Sequence, residues 1–305
     1  MVSRRSILSA GAAMLAAPYP GRAAAAEGPV RFGLVADPQY APAPPNLPLN
    51  RYYSESLWKL REAVDAFNGQ DLRFVATLGD VIDRDRASFD PILQVYGRLR
   101  HDKVFLLGNH DFSVAAEELN AAMTLLGLER SYYDFAVGGL RFVVLDGNEV
   151  SLFAPPPGDP RRELAAERLR KLAEAGAENA KPWNGSLSDR QFAWLGETLA
   201  AAARRGERVI VMGHYPVYPA NPHNLWDSER VVSLLTAQPH VLAYFCGHNH
   251  AGNYGEAGGV HFVNLHGMVD TPTTSAYAFV TVEGARMAIR GFGREPDRTL
   301  ALKAG

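Results

Sequence analysis

Short apolar runs that stop at a turn-forming polar residue recur along the chain. Phe74-Val75-Ala76-Thr77-Leu78 ends in Gly79-Asp80. Residues 32–36 end in Asp37-Pro38-Gln39, residues 104–107 in Gly108-Asn109-His110-Asp111, residues 209–212 in Gly213-His214, and residues 241–246 in Gly247-His248-Asn249-His250. A run of this length bounded by turn residues reads as a buried strand. Between these strands the apolar spacing changes to that of helices. A helix capped by Ser54 is predicted to about residue 67, with Leu57, Leu60, Val64 and Phe67 on one face. Further helices are predicted over residues 88–99, 114–126, 161–175, 187–203 (with Ser188 as its cap) and 228–235. Strands are predicted over 30–36, 74–78, 104–107, 208–212, 241–245 and 260–265. Two hairpins are predicted as well, one turning at Gly138-Gly139 and the other joining 276–282 to 286–292 at Glu283-Gly284. Residues 40–50 are rich in proline, lack periodicity and read as a loop over a site. Periodicity alone yields mixed α and β.

Five strand ends carrying Asp, Gln, Asn and His imply one place where several loops converge. Composition narrows what that place does. The formal net charge of −2 offers no basic field for nucleic acid, and the pairs Arg161-Arg162 and Arg204-Arg205 read as solvated helix faces. Cys246 is the only cysteine, so an internal disulfide is excluded, and its apolar run predicts a buried, inert thiol. Residues 1–26 read as a targeting segment. Arg4-Arg5 resembles a twin-arginine export motif, residues 7–17 are apolar, and Ala24-Ala25-Ala26 precedes Glu27. The expectation is export to the bacterial periplasm or the extracellular space, with residues 27–305 forming a single domain. The leader is too short for a membrane span, and no other segment could form one.

Taken in order, Asp37-x-Gln39, Gly79-Asp80-x-x-Asp83, Gly108-Asn109-His110-Asp111, Gly213-His214 and Gly247-His248-x-His250 resemble the calcineurin-like metallophosphoesterase superfamily. Gln39 departs from most of that superfamily, which has His there. The resemblance implies an α/β fold of four layers, αββα, in which two mixed sheets pack face to face with helices outside. It implies two divalent cations, one held by Asp37, Gln39, Asp80 and His250, the other by Asp80, Asn109, His214 and His248, with Asp80 bridging. Two-metal hydrolases hold their ions roughly 3.5–4 Å apart and clamp the attacking and leaving oxygens. Two divalent ions, two carboxylates and a bridging hydroxide nucleophile leave one net positive charge to attract a phosphate. His110 is the expected non-ligand, stabilising the developing phosphoryl charge or protonating the leaving oxygen. Asp83 or Asp111 could orient it, and the resemblance favours Asp83. The oxygen-rich donor set favours Mn²⁺, with Fe, Zn and Mg as alternatives.

The flanks resemble one branch of that superfamily, the Mn²⁺-dependent ADP-ribose/CDP-alcohol diphosphatases. The matching stretches include Ala36-Asp37-Pro38-Gln39-Tyr40, Arg51-Tyr52-Tyr53-Ser54-Glu55-Ser56-Leu57, Ser131-Tyr132-Tyr133-Asp134-Phe135, Trp183-Asn184-Gly185, Leu225-Trp226 and Gly247 to Tyr254. That family shares the glutamine at position 39. The implied reaction cleaves the pyrophosphate bond of a nucleoside diphosphate-X, such as ADP-ribose or a CDP-alcohol, giving a nucleoside monophosphate and a phosphorylated X. The partner is therefore a small nucleotide. Tyr40, Phe112, Tyr215, Trp226 and Tyr254 flank the motifs and are candidates to stack on a base, Arg51 to neutralise a phosphate and Asn184 to reach the same pocket. His101, His223 and His240 read as surface residues, and His261 and His266 as strand or loop positions, with His223 and His266 the two able to line a pocket. Two other readings stand beside this one. One is a broader exported phosphodiesterase or phosphomonoesterase. The other is a catalytically silent metal- or nucleotide-binding protein, which would be expected to have lost ligands that are all present here.

Overall fold

A computed structural model describes residues 28–303 of the chain, so the targeting segment read at residues 1–26 lies outside the described residues. The chain runs β1 (Val30–Val35), α1 (Ser56–Asn68), β2 (Phe74–Thr77), α2 (Phe89–Tyr96), β3 (Asp102–Phe105), α3 (Ala121–Leu125), β4 (Tyr133–Val137) and β5 (Leu140–Val144). It continues through α4 (Pro160–Glu174), α5 (Asp189–Arg204), β6 (Arg208–Met212), α6 (Ser228–Thr236), β7 (Val241–Cys246), β8 (Ala251–Ala257), β9 (Val260–His266), β10 (Ala276–Glu283), β11 (Arg286–Gly293) and β12 (Arg298–Ala301).

Two six-stranded mixed sheets result, with orders β12-β11-β10-β1-β2-β3 and β4-β5-β6-β7-β9-β8. Strands β1, β2 and β3 are parallel, as are β5, β6, β7 and β9, while antiparallel strands flank them on one side in the first sheet and on both sides in the second. Alternation along each strand sends one set of side chains inward and the other outward. Phe32, Leu34, Phe74 and Ala76 from the first sheet meet Phe142, Ile210, Met212 and Phe245 from the second in one buried core. Val35, Val75 and Phe105 point the other way, onto Leu60, Val64 and Phe67 of α1 and Ile92 and Tyr96 of α2. Val143, Val209 and Val211 likewise pack on Leu195 and Leu199 of α5 and Val231 and Leu235 of α6. The layers are therefore helix, sheet, sheet, helix. Among the described residues, no helix is long and apolar enough to cross a membrane.

Several elements differ from expectation. Ser54 does not cap α1; its hydroxyl bonds the Ala41 and Ala43 carbonyls, and a 3₁₀ turn over Tyr53–Glu55 precedes the helix. Ser188 does cap α5, accepting from the Gln191 amide. Residues 114–126 form a 3₁₀ turn, Ala116–Glu118, and the short α3 rather than one helix. Leu119, Ala122 and Leu126 keep the expected buried face, but the Glu118 amide bonds Ala115 at i−3 and tightens the first turn. The edge strands β8 and β12 escaped prediction because edges need little apolar alternation. Every residue of β8 is at least partly exposed, and only Leu300 of β12 is buried.

Candidate metal centre

Asp37, Asp80, Asn109, His214, His248 and His250 all follow carboxyl ends of strands, β1, β2, β3, β6 and β7 in turn. The backbone there is unusual. Asp37, Gln39, Asp80 and His248 all take left-handed φ, at 48°, 42°, 52° and 65°. Such conformations cost on the order of 1–3 kcal/mol each and persist where the surroundings dictate them. Here the dictating contacts are visible. The Gln39 amide donates to the Asp80 carbonyl at 2.8 Å, and the His248 amide to the Asp37 carboxylate at 3.1 Å. Asp111, fully buried, accepts from the amides of Asp80, Val81, Ile82 and Gly108 at 2.8–3.2 Å, tying the β2 and β3 loops together. Burial and the charge of Asp80 push its carboxyl up to about 7, against the Gly108 and Ile82 amides.

Glycine is required at 108 by space. A Cβ there would lie 2.1 Å from Asp80 Oδ1 and 2.4 Å from the Asp80 amide nitrogen. Gly108→Ala is expected to destabilise the chain by roughly 1–3 kcal/mol, the usual cost of overpacking. It should also weaken cation binding. Urea unfolding and manganese titration check both, and wild-type values for each would contradict the packing argument.

The side chains gather as two buried sets sharing one member. Ligand atoms of Asp80, His214 and His248 lie within 4.8 Å of one another, and so do those of Asp37, Asp80 and His250. Asn109 Oδ1 is 3.2 Å from His214 Nε2, which is 3.4 Å from Asp80 Oδ2. His250 Nε2 lies 3.7 Å from Asp37 Oδ1. Gln39 donates through Nε2 to Asp80 Oδ2 at 2.8 Å, which leaves its Oε1 buried without a partner. A buried acceptor beside two carboxylates is what a cation ligand looks like before its cation is counted. The donor set of carboxylates, amide oxygens and imidazoles suits a divalent ion.

Each imidazole is fixed by a contact to its other nitrogen. His214 Nδ1 sits 2.8 Å from the Leu78 carbonyl, His250 Nδ1 2.8 Å from Asp270 Oδ1, and His248 Nε2 2.9 Å from Asn184 Oδ1. These contacts leave His214 Nε2, His250 Nε2 and His248 Nδ1 as the candidate ligand atoms. Burial opposes the charge on Asp80, but His214 and His110 outweigh it and hold its carboxyl well below the usual range. Burial also opposes a charged His214, yet Asp80 carries it up to about 9. His248, buried and facing His214, is driven well below the ordinary imidazole value.

His110 stands at the rim. Its amide donates to Asp80 Oδ1 at 2.8 Å, and its Nδ1 lies 2.9 Å from the Asp83 carbonyl and 3.2 Å from Asp83 Oδ1. Arg84 Nε in turn donates to Asp83 Oδ2 at 2.6 Å. Asp83, not Asp111, therefore faces His110. Burial works against the imidazolium, and Asp80 together with Asp83 overcomes it, raising His110.

The aromatic candidates mostly do not reach the pocket. Tyr40 is buried against Val81 and Ile82 because its backbone bridges to Ile82 and turns the ring into the core. Tyr215 is buried, donates to Asn148 Oδ1, and stands edge-on to His214 and His248 as a wall behind them. Trp226 packs on Val150 and Ala165, with Nε1 donating to the Lys181 carbonyl. Tyr254 is exposed on the edge strand β8, bonded to His261. Asn184 is fully buried, and its amide group is spent on the Asn179 and Pro222 carbonyls, so it serves His248 rather than a substrate. Phe112 and Arg51 remain partly exposed. His223 is half-buried with its ring 5.5 Å from that of His248, and burial, His250 and Arg51 together lower it. His266 bonds Glu295, and His240 is buried against the Leu199 carbonyl rather than on the surface. Asp270, which holds His250, went unpredicted; no spacing rule ties it to a strand-end motif. An open surface hollow of about 510 Å³, lined by Asp65, Asn68, Gly69, Arg98 and Arg100, shares no residue with this cluster.

Behind the centre, Asp146 accepts from the Asn148 amide and Nδ2 and is buried. Burial pushes its carboxyl up to about 6 from an ordinary 3.8. A carboxyl raised on folding penalises the native state once it ionises. The penalty is absent below about pH 4, grows through pH 6, and is complete above it. Two units correspond to roughly 3 kcal/mol. Asp146→Asn keeps the Oδ1 acceptor, so it is expected to raise stability by up to about 3 kcal/mol at pH 8 and to leave it unchanged at pH 4. Urea midpoints at the two pH values check the sign.

The family model for calcineurin-like phosphoesterases matches residues 30–252. The chain belongs to that family. Relatives named manganese-dependent ADP-ribose/CDP-alcohol diphosphatase align along nearly all of it. The Mus musculus protein is 28% identical over 316 residues, covering 89% of this chain and 93% of its own. The Danio rerio protein is 29% identical, covering 88% and 97%. A crystal structure of a dimetal phosphatase from Danio rerio is similar with a TM-score of 0.80 at 26% identity, covering 90% of this chain and 99% of that one. As a calcineurin-like phosphoesterase with such relatives, the chain is a metal-dependent hydrolase of phosphoric esters or anhydrides.

Proposed function

We propose that this phosphoesterase cleaves the pyrophosphate bond of nucleoside diphosphate-X substrates, ADP-ribose and CDP-alcohols among them, with Mn²⁺ as its preferred cation. The observation that carries the two-cation chemistry is the sharing of Asp80 between two buried ligand sets. The names of the aligned relatives support the substrate class and the metal. Asp37, Gln39, Asp80 and His250 would hold one cation, and Asp80, Asn109, His214 and His248 the other. Two divalent cations supply a water acidic enough to attack near neutral pH and a clamp on the attacking and leaving oxygens.

The chain's own groups do the rest. Leu78, Asn184 and Asp270 hold the three imidazoles with the ligand nitrogen free. Asp83 fixes Nδ1 of His110, leaving Nε2 to donate a proton or a hydrogen bond at the reacting phosphoryl group. Arg51, close enough to His223 for its charge to be felt there, is suited to the second phosphate of a diphosphate. Phe112, beside His110 and partly exposed, is the remaining aromatic candidate at the rim. The twin-arginine-type leader supports export to the periplasm or beyond, which N-terminal sequencing of secreted protein would test.

The test is a nucleotide panel read by phosphorus NMR after metal stripping. Manganese is expected to restore more activity than zinc, with ADP-ribose giving AMP and ribose 5-phosphate and CDP-choline giving CMP and phosphocholine. Full recovery with zinc alone would contradict the metal preference. Cleavage of p-nitrophenyl phosphate only would end the diphosphatase reading.

A further inference from the structure

The Lys59 side chain of α1 is sealed from solvent, although a lysine in an amphipathic helix usually belongs on the wet face. Its ammonium sits among four consecutive carbonyls, those of Met268, Val269, Asp270 and Thr271, at 3.0, 3.1, 2.9 and 2.5 Å. Three ammonium protons shared over four acceptors leave none unmet. The caged segment touches the metal centre at several points. Met268 and Val269 donate backbone amides to the carbonyls of Ala36 and Asp37 at 2.9 and 3.0 Å. Asp270 Oδ1 meets His250 Nδ1 at 2.8 Å, and Arg294 Nη1 lies 3.3 Å from Asp270 Oδ2. The backbone of Asp270 bridges to Arg51, and the Thr271 amide bonds the Asn50 carbonyl at 3.0 Å.

We propose that Lys59 is a positioning residue for half of the centre: through residues 268–271 it sets the cation affinity of the Asp37, Gln39, Asp80 and His250 ligands. This rests on the two-cation reading above. Removing the ammonium takes the shared donor from four carbonyls converging on one buried point, of which that of Val269 keeps the Tyr52 amide at 3.0 Å, and the segment relieves the loss by opening. Asp270 then releases His250, and the Asp37 backbone loses its partner. Among the described residues the segment makes no hydrogen bond to the side chains of Asn109, His214 or His248; the Leu78 carbonyl and Asn184 hold the two imidazoles. The shared Asp80 and the His248 amide on the Asp37 carboxylate link the two halves.

The experiment is equilibrium dialysis of chelator-treated chain against Mn²⁺, with bound metal counted by elemental analysis. Wild type is expected to bind two ions, and fewer than two would fail the two-cation reading itself rather than this inference. Lys59→Met is expected to keep one ion at wild-type affinity and to weaken the other roughly 10–100-fold, as loss of a group supporting a ligand does. Raising Mn²⁺ should return its kcat to near wild type, and Lys59→Arg should retain more of the second ion than Lys59→Met. Equal weakening of both ions, or of neither, overturns the proposal. Should Lys59→Met fail to fold, Lys59→Gln, which keeps a shorter neutral donor at the same point, carries the test. Selective loss of one ion supports the clamp, and unaltered binding contradicts it.

Discussion

Asp80→Asn is expected to lower kcat with ADP-ribose by roughly 10³–10⁴-fold and to reduce bound manganese below two ions per chain. Among the described residues Asp80 is the one side chain common to both candidate ligand sets, so its charge would serve both proposed cations at once. Two bound ions would together supply several kcal/mol of charge stabilisation, and about 1.36 kcal/mol is worth a factor of ten. The amide is nearly isosteric and still accepts the His110 amide at Oδ1, but its Nδ2 cannot accept from Gln39 Nε2 as Oδ2 does. A circular dichroism spectrum is therefore needed to separate loss of charge from rearrangement of the loop. Circular dichroism matching wild type with metal binding halved or worse is the supporting pattern. A variant that still binds two ions tightly would contradict the bridging role.

His110→Gln should behave differently. Here kcat is expected to fall by about 10²–10⁴-fold, the range of a general acid or base, while both manganese ions stay bound. His110 contributes only its amide to Asp80, and its ring is held by Asp83 away from the ligand nitrogens. Substrates with a good leaving group, such as a p-nitrophenyl ester, need less protonation and should lose less. That leaving-group dependence separates proton donation from pure charge stabilisation, which would penalise all substrates alike. Loss of metal in this variant would show His110 to be part of the ligand set instead.

The local part of this centre was readable from the chain because each strand-end group lies within a few residues of an apolar run that must be buried. Gly79-Asp80 and Gly108-Asn109-His110-Asp111 carry their own geometry: the strand fixes direction, and the absent Cβ at Gly108 allows the Asp80 carboxylate to approach. The strands were legible for the same reason, their inward and outward faces both being apolar, whereas their arrangement in two packed sheets was implied only by the resemblance. What was not legible depends on residues far apart in sequence. Asp270 reaches His250 and Asn184 reaches His248 only after folding, over separations of 20 and 64 residues. Nothing local to Lys59 announces the four carbonyls that lie 209 to 212 residues later. Tyr40, Tyr215 and Trp226 misled through proximity in sequence. Nearness to a motif says where a backbone is, whereas the left-handed turns at Asp37 and Gln39 decide which way the next ring points.

The most direct test of a shared two-cation centre is anomalous diffraction from crystals grown with Mn²⁺. Two peaks roughly 3.5–4 Å apart, with an Asp80 carboxylate oxygen on both, are the expected result. A single peak, or a pair with Asp80 on only one ion, would contradict the account.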